Sequence, residues 1–190
     1  MRSKYFNKAT DIAKHIMKEK IKEGNIVIDA TAGNGNDTAF LAQLVGEWGK
    51  VYAFDVQDLA IKNTRIRLEE LGLIDRVTII NAGHESMDSY VKSETDLIIF
   101  NLGYLPKGDR SIITKSETTT IALRKSLELL SKNGILLVVI YSGHDGGKKE
   151  STDVENLLNG LDQKKYNTMK INFSNQKNNP PILIGVEKKG

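Results

Sequence analysis

Cysteine is absent from this 190-residue chain. That one absence excludes disulfides, thiolate zinc sites, iron–sulfur clusters and cysteine nucleophiles. No apolar run approaches the roughly 18 residues that a membrane span requires. The opening stretch, MRSKYFNKATDIAKHIMKEK, lacks the uninterrupted apolar core of a signal peptide and reads as an amphipathic helix. A cytoplasmic protein is the expectation. Charge of one sign is not in large excess: a net +3 is too small to announce a nucleic-acid binder. Lysines gather at Lys14, Lys18, Lys20 and Lys22, at Lys148 and Lys149, and at Lys164 and Lys165. Solvated helix faces and turns explain them more simply than a phosphate-binding surface. Repeats, low-complexity tracts and linkers are missing too. One domain over residues 1–190 is therefore expected, with an N-terminal helix (1–23) packed on its sheet.

What remains is the composition of a folded globular chain, 39% hydrophobic and 27% charged, long enough to bury its own core. Residues 6–22 place Ile12, Ile16, Met17 and Ile21 at helical spacing, and Gly24 follows as a stop. IVIDA (26–30) is a short apolar run suited to a buried parallel strand. A Gly-rich turn leads to a helical pattern at 38–45, then a strand, KVYAFDV (50–56), then a charged helix to Leu71. RVTII (76–80) and TDLIIFNL (95–102) read as strands three and four, with a short helix between them. Residues 116–131 are helical, with Ile121, Leu123, Leu127 and Leu130 as packing residues. Asn133-Gly134 reads as a turn into ILLVVIY (135–141), the most apolar strand and so a central one. A helix at 149–161 precedes strands at 166–173 and 182–187. Alternating strands and helices imply a parallel sheet with right-handed crossovers. The last two strands have no helix between them and should form an antiparallel hairpin at one edge.

The strongest local signal is DATAGNGNDT (29–38), which starts at the carboxyl end of the first strand and opens a helix. An open α/β sheet binds its ligand at such a place. Gly33 and Gly35 let the backbone turn tightly and approach a ligand without a Cβ in the way. A Gly-x-Gly alone is weak, but here it has the strand–turn–helix context, with Asp29 before it. A dinucleotide fingerprint wants a third small residue where this chain has Thr38. It also presents the helix N-terminus to a pyrophosphate; this turn instead carries Asp37, which would repel a phosphate but suit a cationic sulfonium ligand with an ammonium group. Asp55 ends the second strand about twenty residues later, where a carboxylate can accept both ribose hydroxyls, with Gln57 beside it. These residues favour S-adenosyl-L-methionine over NAD. The plainer alternative makes Asp29 a loop-orienting residue and Asp55 a helix cap.

Together, DATAGNGNDTAFLA, FDVQ (54–57), AGHE (82–85), FNLGYLPKGD (100–109) and YSGHDGG (141–147) resemble a small bacterial methyltransferase family labelled "putative rRNA methylase". The resemblance runs from residue 26 to about residue 150. It implies a Rossmann-like class I fold dependent on S-adenosyl-L-methionine, with a seven-stranded, mostly parallel sheet. Members of the family are associated with tRNA modification. They convert 5-aminomethyl-2-thiouridine at the wobble position to 5-methylaminomethyl-2-thiouridine. The resemblance also implies that Gly33, Asn34, Asn36, Asp37 and Thr38 line the methionine side of the cofactor, that Asp55 and Gln57 hold the ribose, and that His84 lies near the adenine. A homodimer is a further expectation from the family.

Methyl transfer from a sulfonium is an in-line displacement, so catalysis is mainly positioning of a nucleophile with a free lone pair. Strand four runs into Asn101-Leu102-Gly103-Tyr104-Leu105-Pro106, placed like the Asn-Pro-Pro-Tyr segment of amino methyltransferases. There a side-chain amide and a backbone carbonyl accept the hydrogens of the target amine. Asn101 is the candidate acceptor, Leu102 supplies a carbonyl, and Tyr104 stacks on a base or walls the pocket. Leu-Gly replaces the prolines of that motif, which leaves the hydrogen-bond pattern open. Without cysteine the chain cannot form the covalent adduct usual for carbon-5 methylation of a pyrimidine; an alkyl amine fits. Its ammonium form must first lose a proton, and Asp109, His144 and Tyr141 are candidates for a base or a proton relay. His15 reads as ordinary surface.

No RNA-binding module is appended. A tRNA anticodon stem-loop would be held by the catalytic domain itself, its wobble base entering a pocket walled by Tyr104, with Lys107, Arg110 and Lys115 near phosphates. No metal site is read from the sequence. Alternatives are methylation of rRNA or of a small amine, or a nucleotide-binding module without catalysis.

Overall fold

A computed structural model describes residues 7–105, 112–143 and 146–190. Helix α1 (Ala9–Lys20) precedes strand β1 (Ile26–Asp29), helix α2 (Asn36–Val45), strand β2 (Lys50–Asp55) and helix α3 (Asp58–Glu70). Strand β3 (Val77–Asn81) leads through a short 3-10 turn to the one-turn helix α4 (Met87–Tyr90) and to strand β4 (Thr95–Leu102). Helix α5 (Ser116–Leu129), strand β5 (Leu130–Ile140), helix α6 (Gly147–Asn159), strand β6 (Tyr166–Ile171) and strand β7 (Ile182–Lys188) complete the order.

The seven strands form one sheet in the order β3-β2-β1-β4-β5-β7-β6. Pairing from β3 through β5 is parallel, and β7 runs antiparallel to both β5 and β6. The expected hairpin is therefore present. Its return strand lies inside β6, against β5.

Alternation along the strands divides the core in two, because successive side chains point to opposite faces of a sheet. Val27, Val51, Leu97, Leu137 and Leu183 pack with Ala13 and Met17 of α1 and Leu41 and Val45 of α2. Ile28, Phe54, Ile98, Val138 and Ile184 pack on the other face with Leu123 and Leu127 of α5 and Val154 and Leu158 of α6. Strands covered on both faces can be apolar at every position, and Leu97 through Phe100 are all fully buried.

Three expectations are corrected. The middle of the sheet is β4, while β5, the most apolar strand, lies one place out. Asn133-Gly134 is not a turn before the strand but an irregularity inside it: Asn133 takes φ 60°, and the pairing with β4 jumps from Leu130 to Ile135. Ile121 points outward and is half exposed; the buried face of α5 is carried by Thr119, Ala122, Leu123, Ser126 and Leu127. Among the described residues no helix is long and apolar enough to cross a membrane.

Candidate active site

The connections from β1 to β2 and from β4 to β5 lead in opposite directions along the sheet, so a crevice opens between the carboxyl ends of β1 and β4. The loop from Ala30 to Gly35 fills one side of it. Gly33 (φ 54°) and Gly35 (φ 73°) both adopt left-handed backbone. Gly35 also tolerates no Cβ, which would lie 2.9 Å from Thr64 Cα. Helix α3 pins this loop: Thr64 Oγ1 donates to the Gly33 carbonyl at 3.1 Å, Arg67 Nε to the Asn34 carbonyl at 2.8 Å, and Asn63 Nδ2 to Asn34 Oδ1 at 2.9 Å. Asn63, Thr64 and Arg67 carry no signal as site residues in the sequence; only the packing of α3 on the loop reveals them.

Two carboxylates shape the loop from below. Asp29 is fully buried and accepts the Thr38 hydroxyl at 2.6 Å and the Thr31 amide at 3.1 Å. Burial, reinforced by Asp37, pushes its pKa up to about 7. Asp55 accepts the Gly33 amide at 2.9 Å on one oxygen and the Gln57 amide at 2.9 Å on the other. It thus ties the Gly-rich loop to the start of α3 and keeps a lone pair on each oxygen for a ligand.

Asp37 and Asn101 meet across the crevice. Asn101 Nδ2 donates to Asp37 Oδ2 at 2.7 Å, and Asp37 Oδ1 lies 3.1 Å from the Lys14 ammonium. Asp37 therefore already has a cation from α1, a partner that the charge argument from sequence did not include. Because a carboxylate only accepts, the Asn101 amide must turn its NH2 toward Asp37. Its Oδ1 is left buried and without a partner among the described residues. The Asn101 backbone amide donates to Thr31 Oγ1 at 2.7 Å. Next along the strand, the Leu102 carbonyl accepts the Tyr141 amide at 3.2 Å, so only its second lone pair remains for a substrate. Tyr104 bridges to Ile113 and stands half exposed at the rim.

His84 is buried with its ring edge-to-face on Phe100, the centroids 5.4 Å apart. Its Nδ1 faces the Ala30 carbonyl at 3.3 Å and must carry the proton there, so Nε2 is a bare acceptor. Nε2 has no partner among the described residues. Burial pushes the imidazole below its usual pKa and keeps the ring neutral. Tyr141 is shifted upward by burial and by Asp37 and Asp11, which keeps its hydroxyl a donor rather than a base.

A second carboxylate network joins α5 to α6. Glu150, in the first turn of α6 and almost wholly buried, accepts the Thr114 hydroxyl at 2.7 Å and the Thr119 hydroxyl at 2.6 Å. Ser116 Oγ donates to Asp153. Glu150 is another contributor that the sequence did not announce. Asp109 and His144, as well as Lys107 and Arg110, lie outside the described residues.

Among the described residues these groups surround a cavity of about 640 Å³. It is lined on one side by Gly33, Asn34, Asn36, Asp37, Asp55, Gln57 and His84, and on the other by Asn101, Leu102, Tyr104, Lys115 and Tyr141. That is ample for one cofactor and a substrate group, since ligand sites span roughly 300–1,000 Å³.

Comparison with known proteins shows the family to which the chain belongs. A family profile described as "putative rRNA methylase" matches residues 51–187. The chain belongs to that family. It is 37% identical over 187 residues, 93% of this chain and 68% of the other, to a protein of Arabidopsis thaliana named tRNA (mnm(5)s(2)U34)-methyltransferase, chloroplastic. A Clostridium thermocellum structure described as a putative rRNA-methylase superposes with a TM-score of 0.94 at 52% identity, covering 95% of this chain and 97% of that one. A Streptococcus mutans methyltransferase solved in complex with SAH gives 0.88 at 40% identity, covering 95% and 98%. The family member described here is a Rossmann-like methyltransferase that uses S-adenosyl-L-methionine.

The residues present fit that cofactor. Two glycines leave the loop open to close approach, Asp55 offers lone pairs for sugar hydroxyls, and the acceptors His84 Nε2 and Asn101 Oδ1 have no partner among the described residues. S-adenosyl-L-methionine supplies a methyl group on a sulfonium sulfur, open to displacement by a lone pair. The chain's own work is to hold, orient and desolvate the partners of that displacement.

Proposed function

We propose that this methyltransferase N-methylates the aminomethyl group of 5-aminomethyl-2-thiouridine at the tRNA wobble position, yielding 5-methylaminomethyl-2-thiouridine. The observation that carries this reading is Asn101 Oδ1, a buried acceptor beside the crevice that has no partner among the described residues and whose amide is locked by Asp37. An acceptor there suits an amine, whose hydrogens it can hold so that the nitrogen lone pair faces the methyl group. The chain has no cysteine, which argues against carbon-5 chemistry on a pyrimidine. The name of the plant relative supports the same substrate.

At neutral pH the aminomethyl group is an ammonium and must give up a proton before it can attack. Asp109 and His144 are the proposed acceptors of that proton. Tyr104 and Lys115, both lining the cavity, would receive the unstacked base and a backbone phosphate of the anticodon stem-loop. Asp55 and Gln57 are assigned to the ribose, Asn34 of the loop with Asn36 and Asp37 of the first turn of α2 to the methionine side, and His84 to the adenine; Thr38, fully buried with its hydroxyl on Asp29, does not line the cavity and is not assigned to the cofactor.

The test is nucleoside mass spectrometry of tRNA from cells lacking the gene, followed by methylation of that tRNA with the purified enzyme. Accumulated 5-aminomethyl-2-thiouridine, converted in vitro to the methylamino form, is the expected result. An unchanged tRNA profile, with methyl label entering rRNA instead, would overturn it.

A further inference from the structure

Lys14 lies upstream of the region that the family profile matches, on a helix whose sequence reads only as a packing element. Its ammonium nevertheless reaches the crevice. It sits 3.1 Å from Asp37 Oδ1 and 5.6 Å from the centre of the Phe40 ring. The other oxygen of Asp37 holds Asn101 Nδ2 at 2.7 Å. Thr10, one turn earlier on α1, lines the cavity itself. A single carboxylate thus bridges the N-terminal helix to the residue at the end of β4.

We propose that Lys14 is a positioning residue for methyl transfer, acting through Asp37 to fix the direction in which the Asn101 amide faces. The proposal rests on the reading of Asn101 as the amine acceptor. An amide can present either its oxygen or its NH2 to the substrate, and only the second leaves the wrong group toward an amine. Asp37 decides the matter by accepting from Nδ2. Asp37 in turn lies close enough to one like group, Asp29, to raise it in part. Lys14 is the countercharge that keeps the carboxylate turned toward Asn101, and the Phe40 face steadies the ammonium. The Lys14 side chain is 37% exposed and that of Asp37 17%, so solvent reaches the ammonium and screens the pair, which limits what it adds to folding stability. The effect of Lys14 therefore belongs in turnover, not in melting temperature.

The experiment compares the native enzyme with Lys14→Met and Lys14→Arg, using tRNA that carries 5-aminomethyl-2-thiouridine. Lys14→Met should lower kcat by roughly tenfold or more, as small misplacements at a reacting centre do, while its melting temperature and calorimetric affinity for SAH stay near the native values. Lys14→Arg, which keeps the charge, should restore most of the rate. A second readout needs no substrate: the side-chain amide protons of Asn101, assigned by their loss in Asn101→Ala, should be slow to exchange in the native protein and fast in Lys14→Met. Native kcat together with native amide exchange in Lys14→Met overturns the proposal, and so does a rate loss that Lys14→Arg does not restore. If the native enzyme leaves the tRNA unmodified, the functional reading falls on its own, and the amide protons still decide the role of Lys14.

Discussion

The Thr38 hydroxyl donates to Asp29 Oδ2 at 2.6 Å in a place neither side chain shares with solvent. That bond partly offsets the cost of burying a carboxylate, yet burial still wins and the group titrates at about 7 rather than 3.8. The folded protein therefore binds this proton more tightly than the unfolded chain. Stability from Asp29 is complete below the unfolded value and is lost as pH rises through about 7. Between about pH 5 and pH 8, Asp29→Asn should show a flatter decline in melting temperature than the native protein by scanning calorimetry. Parallel curves would count against the assignment.

Gly33 and Gly35 share the left-handed backbone but differ in their surroundings. A Cβ on Gly33 would meet Leu105 Cδ1 at an ordinary 3.5 Å, whereas one on Gly35 would press the Thr64 backbone at 2.9 Å. Left-handed geometry costs about 1–2 kcal/mol for a non-glycine residue at either site. Gly35→Ala should lose clearly more than this in denaturant unfolding and should weaken SAH binding; Gly33→Ala should stay near the lower figure. Equal losses would contradict the contact with α3.

Removing the Asn101 side chain deletes that acceptor and leaves Asp37 with Lys14 as its side-chain partner among the described residues. Asn101→Ala should lower kcat by roughly a hundredfold or more, the scale seen when one positioned polar group is lost from an active site. The SAH dissociation constant should move far less. A matching loss in both would make Asn101 a cofactor ligand instead.

Glu150 is nearly inaccessible and is held by two threonine hydroxyls. Glu150→Ala leaves the hydroxyls of Thr114 and Thr119 without their acceptor and should destabilise the fold by about 1–3 kcal/mol. Hydrogen exchange should locate the damage at Thr114, whose amide donates to the Gly103 carbonyl at 2.9 Å. A melting temperature within error of native would remove Glu150 from this role.

Which parts were legible in the sequence follows from how local their causes are. The unit from Ile26 to Val45 was readable because strand, glycine turn and helix announce themselves within twenty positions. Its ligand class was readable from the motif and the spacing to Asp55, while the charge argument built on Asp37 overlooked the Lys14 ammonium that already pairs with it. The contacts that stiffen it were not: Arg67 reaches Asn34 across 33 positions and Thr114 reaches Glu150 across 36. Nothing in the spacing of polar residues on a helix tells which one faces a loop. Ile121 misled because an apolar residue at helical spacing need not lie on the packed stripe when Thr119 and Ser126 occupy it. Asn133-Gly134 misled because a dipeptide that favours positive φ serves an irregular strand as well as a turn.

The antiparallel insertion of β7 between β5 and β6 sets a timetable for biosynthesis. Residues 135–140 leave the ribosome well before 182–188, so the nascent β5 waits with one flank bare. An unpaired, strongly apolar strand edge is a template for pairing with other chains. Premature release anywhere between these segments would leave a sticky half-sheet, and chaperone dependence should rise sharply for products that stop short of Ile182.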